Sequence, residues 1–310
     1  MDATAVNNYI ACGLKLNQVV YTAKKIHMVR TIFALLMIVP SLTSFKSSDE
    51  PTGYEIAKQM FEKTAEINSL TYTITKQERI EGEVLKQVSF TKMQKSPYAV
   101  YLRQAFPNDG MEVLYVQGSN NDKALINPNG FPWLNLRLNP HDGIMRNNQH
   151  HTIFQSGFDH VVAILKYLCS KYEDELDEMV LYNGEVMQDG RKGLSITFVN
   201  PYFEYIEYEI SADETIEDVA DRYRLSAYMI LEINPKIKDY EDVKPGQVIM
   251  IPNDYSPKLN LVIDSEQYIP LKMEVIDTLG LYEQYEYSDV VINPDLKMQD
   301  FSEENEAYGF

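Results

Sequence analysis

Four of the five histidines, His141, His150, His151 and His160, fall within one stretch of twenty residues that also holds Asp142 and Asp159. Imidazoles and carboxylates are the donors of borderline divalent metals, and an ion held by them could activate a water for hydrolysis. The local sequence argues against that use. His141-Asp142 stands between Pro140 and Gly143, which is loop chemistry, and the HExxH spacing that puts two imidazoles on one helix face is missing. The acidic run Glu173–Glu178 reads as a solvated helix end rather than an acid–base pair. No serine occupies a GxSxG elbow, and no glycine loop is built to cradle phosphate. The expectation is a protein with no catalytic residues, no metal ligands and no cofactor, its histidine segment a polar loop. A metal-dependent hydrolase built on that segment is the alternative.

The best-defined elements lie between Tyr208 and Pro252, in YEISADETIEDVADRYRLSAYMILEINPKIKDYEDVKPGQVIMIP. Tyr208 and Ile210 alternate out of a Phe203–Tyr208 run, as a half-buried strand requires. Thr215 followed by Asp218 is a capping box, so a helix starts there. Ile216, Val219, Ala220 and Tyr223 then recur at i, i+3, i+4 and i+7 and form one apolar face. Ser226 caps a second short helix carrying Ile230, Leu231 and Ile233, and Asn234-Pro235 ends it because the residue before proline leaves the α region. Pro245-Gly246 suits the centre of a type II turn, and Val248–Ile251 is a closing strand.

This stretch resembles, over its full length, a LysM domain, the small βααβ module that binds N-acetylglucosamine polymers such as peptidoglycan and chitin. The resemblance implies a shallow groove formed by Asp213, Glu214, Thr215 and Ile216 together with Asn234, Pro235, Lys236 and Ile237. Backbone groups there would read acetamido groups, and Ile216 and Ile237 would pack on their methyls. Asp213-Glu214-Thr215 departs from the Gly-Asp-Thr opening of the family, and a spacer of the same shape that binds nothing is the competing reading.

With 28 basic and 46 acidic residues in 310, the chain has a net charge of −18. No basic stripe survives that balance, which excludes nucleic acid and argues against an anionic membrane surface. Cys12 and Cys169 are the only cysteines, so there is no disulfide framework. Cys169 shares a helical face with Phe158, Val162 and Leu165 and reads as a buried small hydrophobe. Cys12 has no apolar segment before it, which rules out lipidation there. Met28–Ser44, MVRTIFALLMIVPSLTS, has a charged start at Arg30 and an apolar core at Ile32–Val39, too short to span a membrane, and reads as a signal peptide at residues 28–44. Residues 1–27 then read as a non-native upstream leader, with Met28 the initiator. An uncleaved membrane tether is the other possibility.

Around the module, helices are expected at Glu55–Ile67 and Phe158–Tyr172. Strands are expected at Leu70–Ile74, Val84–Lys92, Tyr98–Leu102, Met111–Val116, Ala124–Ile126, Leu194–Val199, Leu259–Ile263, Leu271–Ile276 and Tyr282–Tyr287. Helices on an antiparallel meander give an α+β class. The segments KQERIEGEVLKQVSFTKMQKSPYAVYLR, GMEVLYV, LVIDSEQYIPLKMEVID and GLYEQYEYSDVVINPDLKMQDF resemble a bacterial domain-of-unknown-function family, number fifteen seventy-one. That family is similar to periplasmic LolA-type lipoprotein carriers, in which a curved antiparallel half-barrel wraps an apolar cavity under a helical lid. The implied organisation is a discontinuous LolA-like domain at 54–205 and 256–301, a LysM module at 208–252 inserted in it, an exit linker at Asn253–Lys258 and a flexible tail at 302–310. The implied function is that of an exported, non-enzymatic, periplasmic or cell-envelope protein that binds peptidoglycan through the module. Its body would carry a lipid or lipoprotein or, on the alternative reading, only a filled scaffolding core.

Overall fold

Thr52 starts the fold: its hydroxyl accepts from the Glu55 amide while the Glu55 carboxylate accepts from the Thr52 amide, a capping box that sets the first turn of α1, Gly53–Ala65. The computed structural model describes residues 50–310, and the readings at 1–27 and 28–44 lie outside them. After α1 come β1 (Ser69–Ile80), β2 (Glu83–Lys95), β3 (Tyr98–Phe106), β4 (Glu112–Val116), β5 (Ala124–Asn127) and β6 (Leu136–Leu138). The chain continues through α2 (Asp159–Lys171), a short α3 (Leu176–Met179), β7 (Val180–Gln188) and β8 (Arg191–Val199). The module follows as β9 (Tyr205–Glu209), α4 (Ile216–Tyr223), α5 (Ala227–Ile233) and β10 (Val248–Pro252). The chain closes with β11 (Lys258–Asp264), β12 (Pro270–Asp277) and β13 (Gly280–Ile292).

Eleven strands make one curved antiparallel sheet in the order β6-β5-β4-β3-β2-β1-β13-β12-β11-β8-β7, and β9 and β10 pair separately. Register slips in the β1–β13, β2–β3, β7–β8, β11–β12 and β12–β13 pairs bend the strands where they occur. The α+β class expected from the sequence is the class observed. Two strands escaped that reading. β7 is an edge strand with one face in water, and its Asn183-Gly184 reads as a turn; β6 is three residues long.

α1 and α2 pack on the β7–β8–β11 half of the sheet, where Ile56, Met60, Leu165, Ile196, Phe198 and Leu259 form a filled core, and buried Cys169 belongs to it as expected. On the other half, Val113, Tyr115, Ala124 and Ile126 face one side while Leu114 and Leu125 face the other, which is why β4 and β5 read as continuous apolar runs. The second side is covered by the carboxyl-terminal residues. Tyr308 stacks on Tyr101 with centroids 3.7 Å apart, and the Gly309 amide donates to Glu112 at 2.7 Å. The expectation of a flexible tail is corrected by these contacts: half-buried Tyr308 and Phe310 join Phe301 and Leu296 against this sheet face.

The module occupies the connection between β8 and β11, which pair with each other. Its own core is Ile210, Ile216, Val219, Ile230, Ile249 and Ile251. It does not hang from a linker. Asp254, Tyr255 and Ser256 are buried, and Asp254 accepts from Lys171, Tyr172 and Asn200, so the expected exit linker is a packed strut. Met229 of α5 is fully buried in the core of the body. Met229→Ala should therefore lower the stability of the whole protein by about 2–5 kcal/mol. Calorimetry should show one transition displaced as a unit, not a separate loss of the module.

Candidate functional site

The half of the sheet that the helices leave free encloses a cavity of about 880 Å³. Ile74, Leu102, Val113, Ile126, Leu136 and Tyr287 form apolar wall, and residues 144–145, 147–149 and 151–153 of the β6–α2 connection form its roof. No residue of α1 or α2 lines it. The expected helical cover over a cavity is thus divided in two: beneath the helices the space is filled by side chains, and the open space lies beneath the irregular connection. At the junction Gly157, at φ +81°, passes so close to the sheet that a Cβ would meet Met93 Sδ at 2.6 Å, while its amide donates to the Tyr72 hydroxyl at 3.0 Å.

One stretch of the cavity wall is polar: Lys76, Glu78, His151 and Tyr285. Behind it the sheet register sets Glu78 of β1 opposite Glu283 of β13, two carboxylates with almost no exposure. Like charges opposed across a ladder repel, and burial removes the water that would screen them. Five groups answer that charge. Lys76 Nζ lies 3.5 Å from Glu78, and Tyr285 OH lies 2.5 Å from Glu78 and 3.0 Å from Glu283. Tyr255 donates to Glu283 at 2.6 Å and His151 Nε2 lies 3.1 Å from it. His150 is decisive. Its Nδ1 is 2.8 Å from the Glu283 carboxylate and its Nε2 is 2.8 Å from the Arg79 carbonyl oxygen. Both partners can only accept, so both ring nitrogens donate and the ring is an imidazolium. Burial opposes that charge, but the Glu283 hydrogen bond and the two carboxylate charges outweigh it and raise the His150 pKa. Burial likewise opposes the Glu283 carboxylate, and the His151 and His150 partners bring its pKa well below the ordinary carboxylate value.

The same ring joins body to module. His150 stacks between Tyr282 of β13 (4.2 Å) and Tyr228 of α5 (4.8 Å), and Tyr282 shares a 2.7 Å hydrogen bond with the α5 cap, Ser226. Beside it Arg79 binds Glu232 of α5 through two nitrogens, at 3.0 and 2.8 Å, and also holds Asp277 of β12.

The remaining histidines are dispersed. His141 is exposed and contacts Glu217 of α4 at 3.0 Å; Asp142 accepts from the Asn139 amide; Asp159 pairs with Lys95. His160 keeps a buried Nε2 without a hydrogen-bond partner, and burial together with the His151 charge pushes its pKa down to about 3. Glu78, His151 and Glu283 bring one donor atom each within 4.8 Å of one another, a juxtaposition invisible in the sequence because the glutamates lie 205 residues apart. The Lys76 and His150 cations already offset those two carboxylates.

In the module, the eight groove residues divide by exposure. Asp213, Pro235 and Lys236 are exposed. Ile216 is fully buried and Ile237 nearly so, both in the module core, so neither side chain is free to pack on a ligand methyl as expected, and their amides donate to the Tyr240 and Asn234 carbonyls. Asn234 spends its side chain on the Ile230 and Met250 carbonyls and the Met250 amide. Glu214 is buried, accepting from Tyr208, the Ser211 amide and Arg222. Thr215 serves as the α4 cap. Unforeseen was the neighbour of these loops: Arg146 from the cavity roof pairs with Glu217 and lies 3.4 Å over the Tyr240 ring, whose carbonyl accepts from the Ile216 amide.

A model of the family described as "Protein of unknown function (DUF1571)" matches residues 67–223, half of the chain, and a LysM domain model matches residues 208–252. A search of curated proteins returns no match. Among solved structures, a DUF1329 family protein from Desulfovibrio piger is 11% identical over 81% of this chain and 96% of its own, with a TM-score of 0.31. The lipoprotein LppX of Mycobacterium tuberculosis is 13% identical over 78% and 95%, with a TM-score of 0.37. A LolA superfamily protein from Nitrosomonas europaea is 10% identical over 82% and 98%, with a TM-score of 0.29.

The buried pair fixes a pH window. His150 has a folded pKa above its ordinary 6.5, so its contribution is complete below 6.5 and is lost as pH rises through the folded value. Glu283 has a folded pKa below its ordinary 4.5, so its contribution is complete above 4.5 and is lost as pH falls through the folded value. Melting temperature should therefore peak between these limits and decline on the alkaline side. His150→Gln should flatten that alkaline decline, and His150→Ala, which strands a buried carboxylate, should cost about 3–5 kcal/mol.

Proposed function

Because the chain belongs to the DUF1571 family and carries a LysM domain inside its body, we propose that it is an exported bacterial cell-envelope protein that holds peptidoglycan with the module and a lipid or lipoprotein acyl chain in the body. The observation that carries this reading is the union, in one compact unit, of a complete βααβ module with a largely apolar cavity of about 880 Å³. That volume lies within the ~300–1,000 Å³ of small-molecule sites. The sequence features that favour export are the apolar core at Ile32–Val39 and the charged start at Arg30. No helix among the described residues is long and apolar enough to cross a membrane.

On the glycan side the reading rests on exposed Asp213, Pro235 and Lys236, because the Thr215, Ile216 and Ile237 amides are already bonded to Asp218, Tyr240 and Asn234. A single shallow groove gains no avidity, so binding is weak and sensitive to one substitution. A non-catalytic role for the body is supported by the balance of charge in the one group of histidine and carboxylates that converges among the described residues.

Two measurements test the reading separately. The full chain should co-sediment with insoluble peptidoglycan, and Pro235→Asp with Lys236→Glu should reduce the pelleted fraction severalfold without moving the melting temperature; equal pelleting removes the glycan assignment. Point changes are preferable to deleting residues 208–252, which would also remove Met229, Ser226, Tyr228 and Glu232 from the body. Native mass spectrometry after gentle extraction should find lipid-sized adducts, and Leu136→Trp, which narrows the cavity from an edge strand, should reduce them. A protein that is always empty removes the carrier assignment. Stoichiometric zinc or manganese lost in His151→Ala would instead turn the reading toward a hydrolase.

A further inference from the structure

Most large apolar side chains exposed near the cavity gather around its opening. Val84, Phe106, Phe131 and Ile144 both line it and reach solvent, and Trp133 and Leu134 stand beside Phe131 on the β5–β6 turn. Phe131 is 87% exposed and Trp133 80%. An exposed apolar patch continuous with a binding cavity marks a contact surface. The backbone is shaped to present it: Trp133 sits at φ +60°, a conformation that a bulky residue rarely adopts, and its amide closes the turn onto the Gly130 carbonyl at 2.6 Å. Strain of that kind persists where function requires it.

Charge identifies the occupant. From Lys123 to His141 the chain has no aspartate or glutamate, although it has 46 acidic residues in 310. Among the residues lining the cavity the one carboxylate is buried Glu78, and Lys86, two residues from Val84, is a lining cation, whereas exposed Glu83 beside Val84 is not among the lining residues. A second copy of a chain with net charge −18 would bring strong mutual repulsion to this face. An uncharged lipid surface brings none, and phenylalanine and tryptophan are the side chains that settle at the boundary between headgroups and acyl chains. We infer that the rim of Val84, Phe106, Phe131, Trp133, Leu134 and Ile144 docks onto the surface of a lipid bilayer, so that the cavity opens directly against the acyl region. The inference goes beyond the carrier reading, and its test fails independently of that one.

Trp133 is the single tryptophan, which makes the rim its own reporter. The full chain is mixed with phosphatidylcholine vesicles. Trp133 emission should shift to the blue and be quenched by bromine placed on the acyl chains. Phe131→Asp, at a site exposed enough to leave melting unchanged, should return the emission to its water-exposed position and weaken the vesicle-dependent shift at least tenfold. Vesicle pelleting with unshifted, unquenched Trp133 would assign the association to the apolar segment at Ile32–Val39 and overturn the inference. A blue shift that grows with protein concentration in the absence of vesicles would assign the rim to a second copy and overturn it as well. Lipid adducts without docking would leave the carrier reading standing and end this one; docking without adducts would do the reverse.

Discussion

The placement of Glu283 governs much of the architecture. Once β1 and β13 pair in the observed register, Glu78 and Glu283 face each other inside the protein; Lys76 of β1 answers Glu78, and the cation that answers Glu283 comes from outside the sheet. His150 supplies it from the β6–α2 connection. An irregular segment of some twenty residues has little reason of its own to take one path over a sheet, and the buried ion pair gives it one. The roof of the cavity and the seat of the module are both set by where that imidazolium must sit. A buried pair of this kind is a poor source of net stability, because desolvation offsets attraction. Its value here is positional.

The module shows the same economy. An inserted domain with adjacent ends needs only a hairpin's worth of connection, and β8 and β11 provide it. Here the module is also cemented sideways: Met229 enters the body's core, Arg79 divides its guanidinium between Asp277 of the sheet and Glu232 of α5, and Tyr228 covers His150. The module therefore has a fixed orientation toward the cavity rather than a tether's freedom.

Local physics made the module and most strands legible in the sequence. Capping boxes, the i, i+3, i+4 stripe in α4, and alternating strands depend on neighbours within a few residues, and Thr52, Thr215 and Ser226 cap as their types suggest. What stayed hidden depends on long separations. That Ile216 and Ile237 turn inward follows from module packing, not from their place in the groove loops. The His150–Glu283 pair joins residues 133 apart, and the tail's burial rests on Tyr101 and Glu112, far upstream of Tyr308 and Gly309. The histidine cluster was visible as composition, yet only His150 and His151 meet, at Glu283, while His141 and His160 go elsewhere, because a loop, unlike a helix, imposes no common face.

The segment that roofs the cavity also touches residues beside the groove loops, and that has a mechanical consequence. Ile144 and Met145 line the cavity, while Arg146, next in the chain, reaches to Glu217 and Tyr240 beside the groove loops; four residues on, His150 anchors the segment to the sheet. Between Arg146 and His150 the chain is held at both ends, by an ion pair to the module and an ion pair to the body. A ligand that lifted the roof at Ile144 would have to draw Arg146 with it or break its contact with Glu217, and a change at the α4 opening would press back through the same side chain. Coupling between two sites requires a shared element whose position both can bias. Arg146 has the geometry of such an element, and the Tyr240 carbonyl bound to the Ile216 amide extends its contacts by one hydrogen bond into the loop that opens α4.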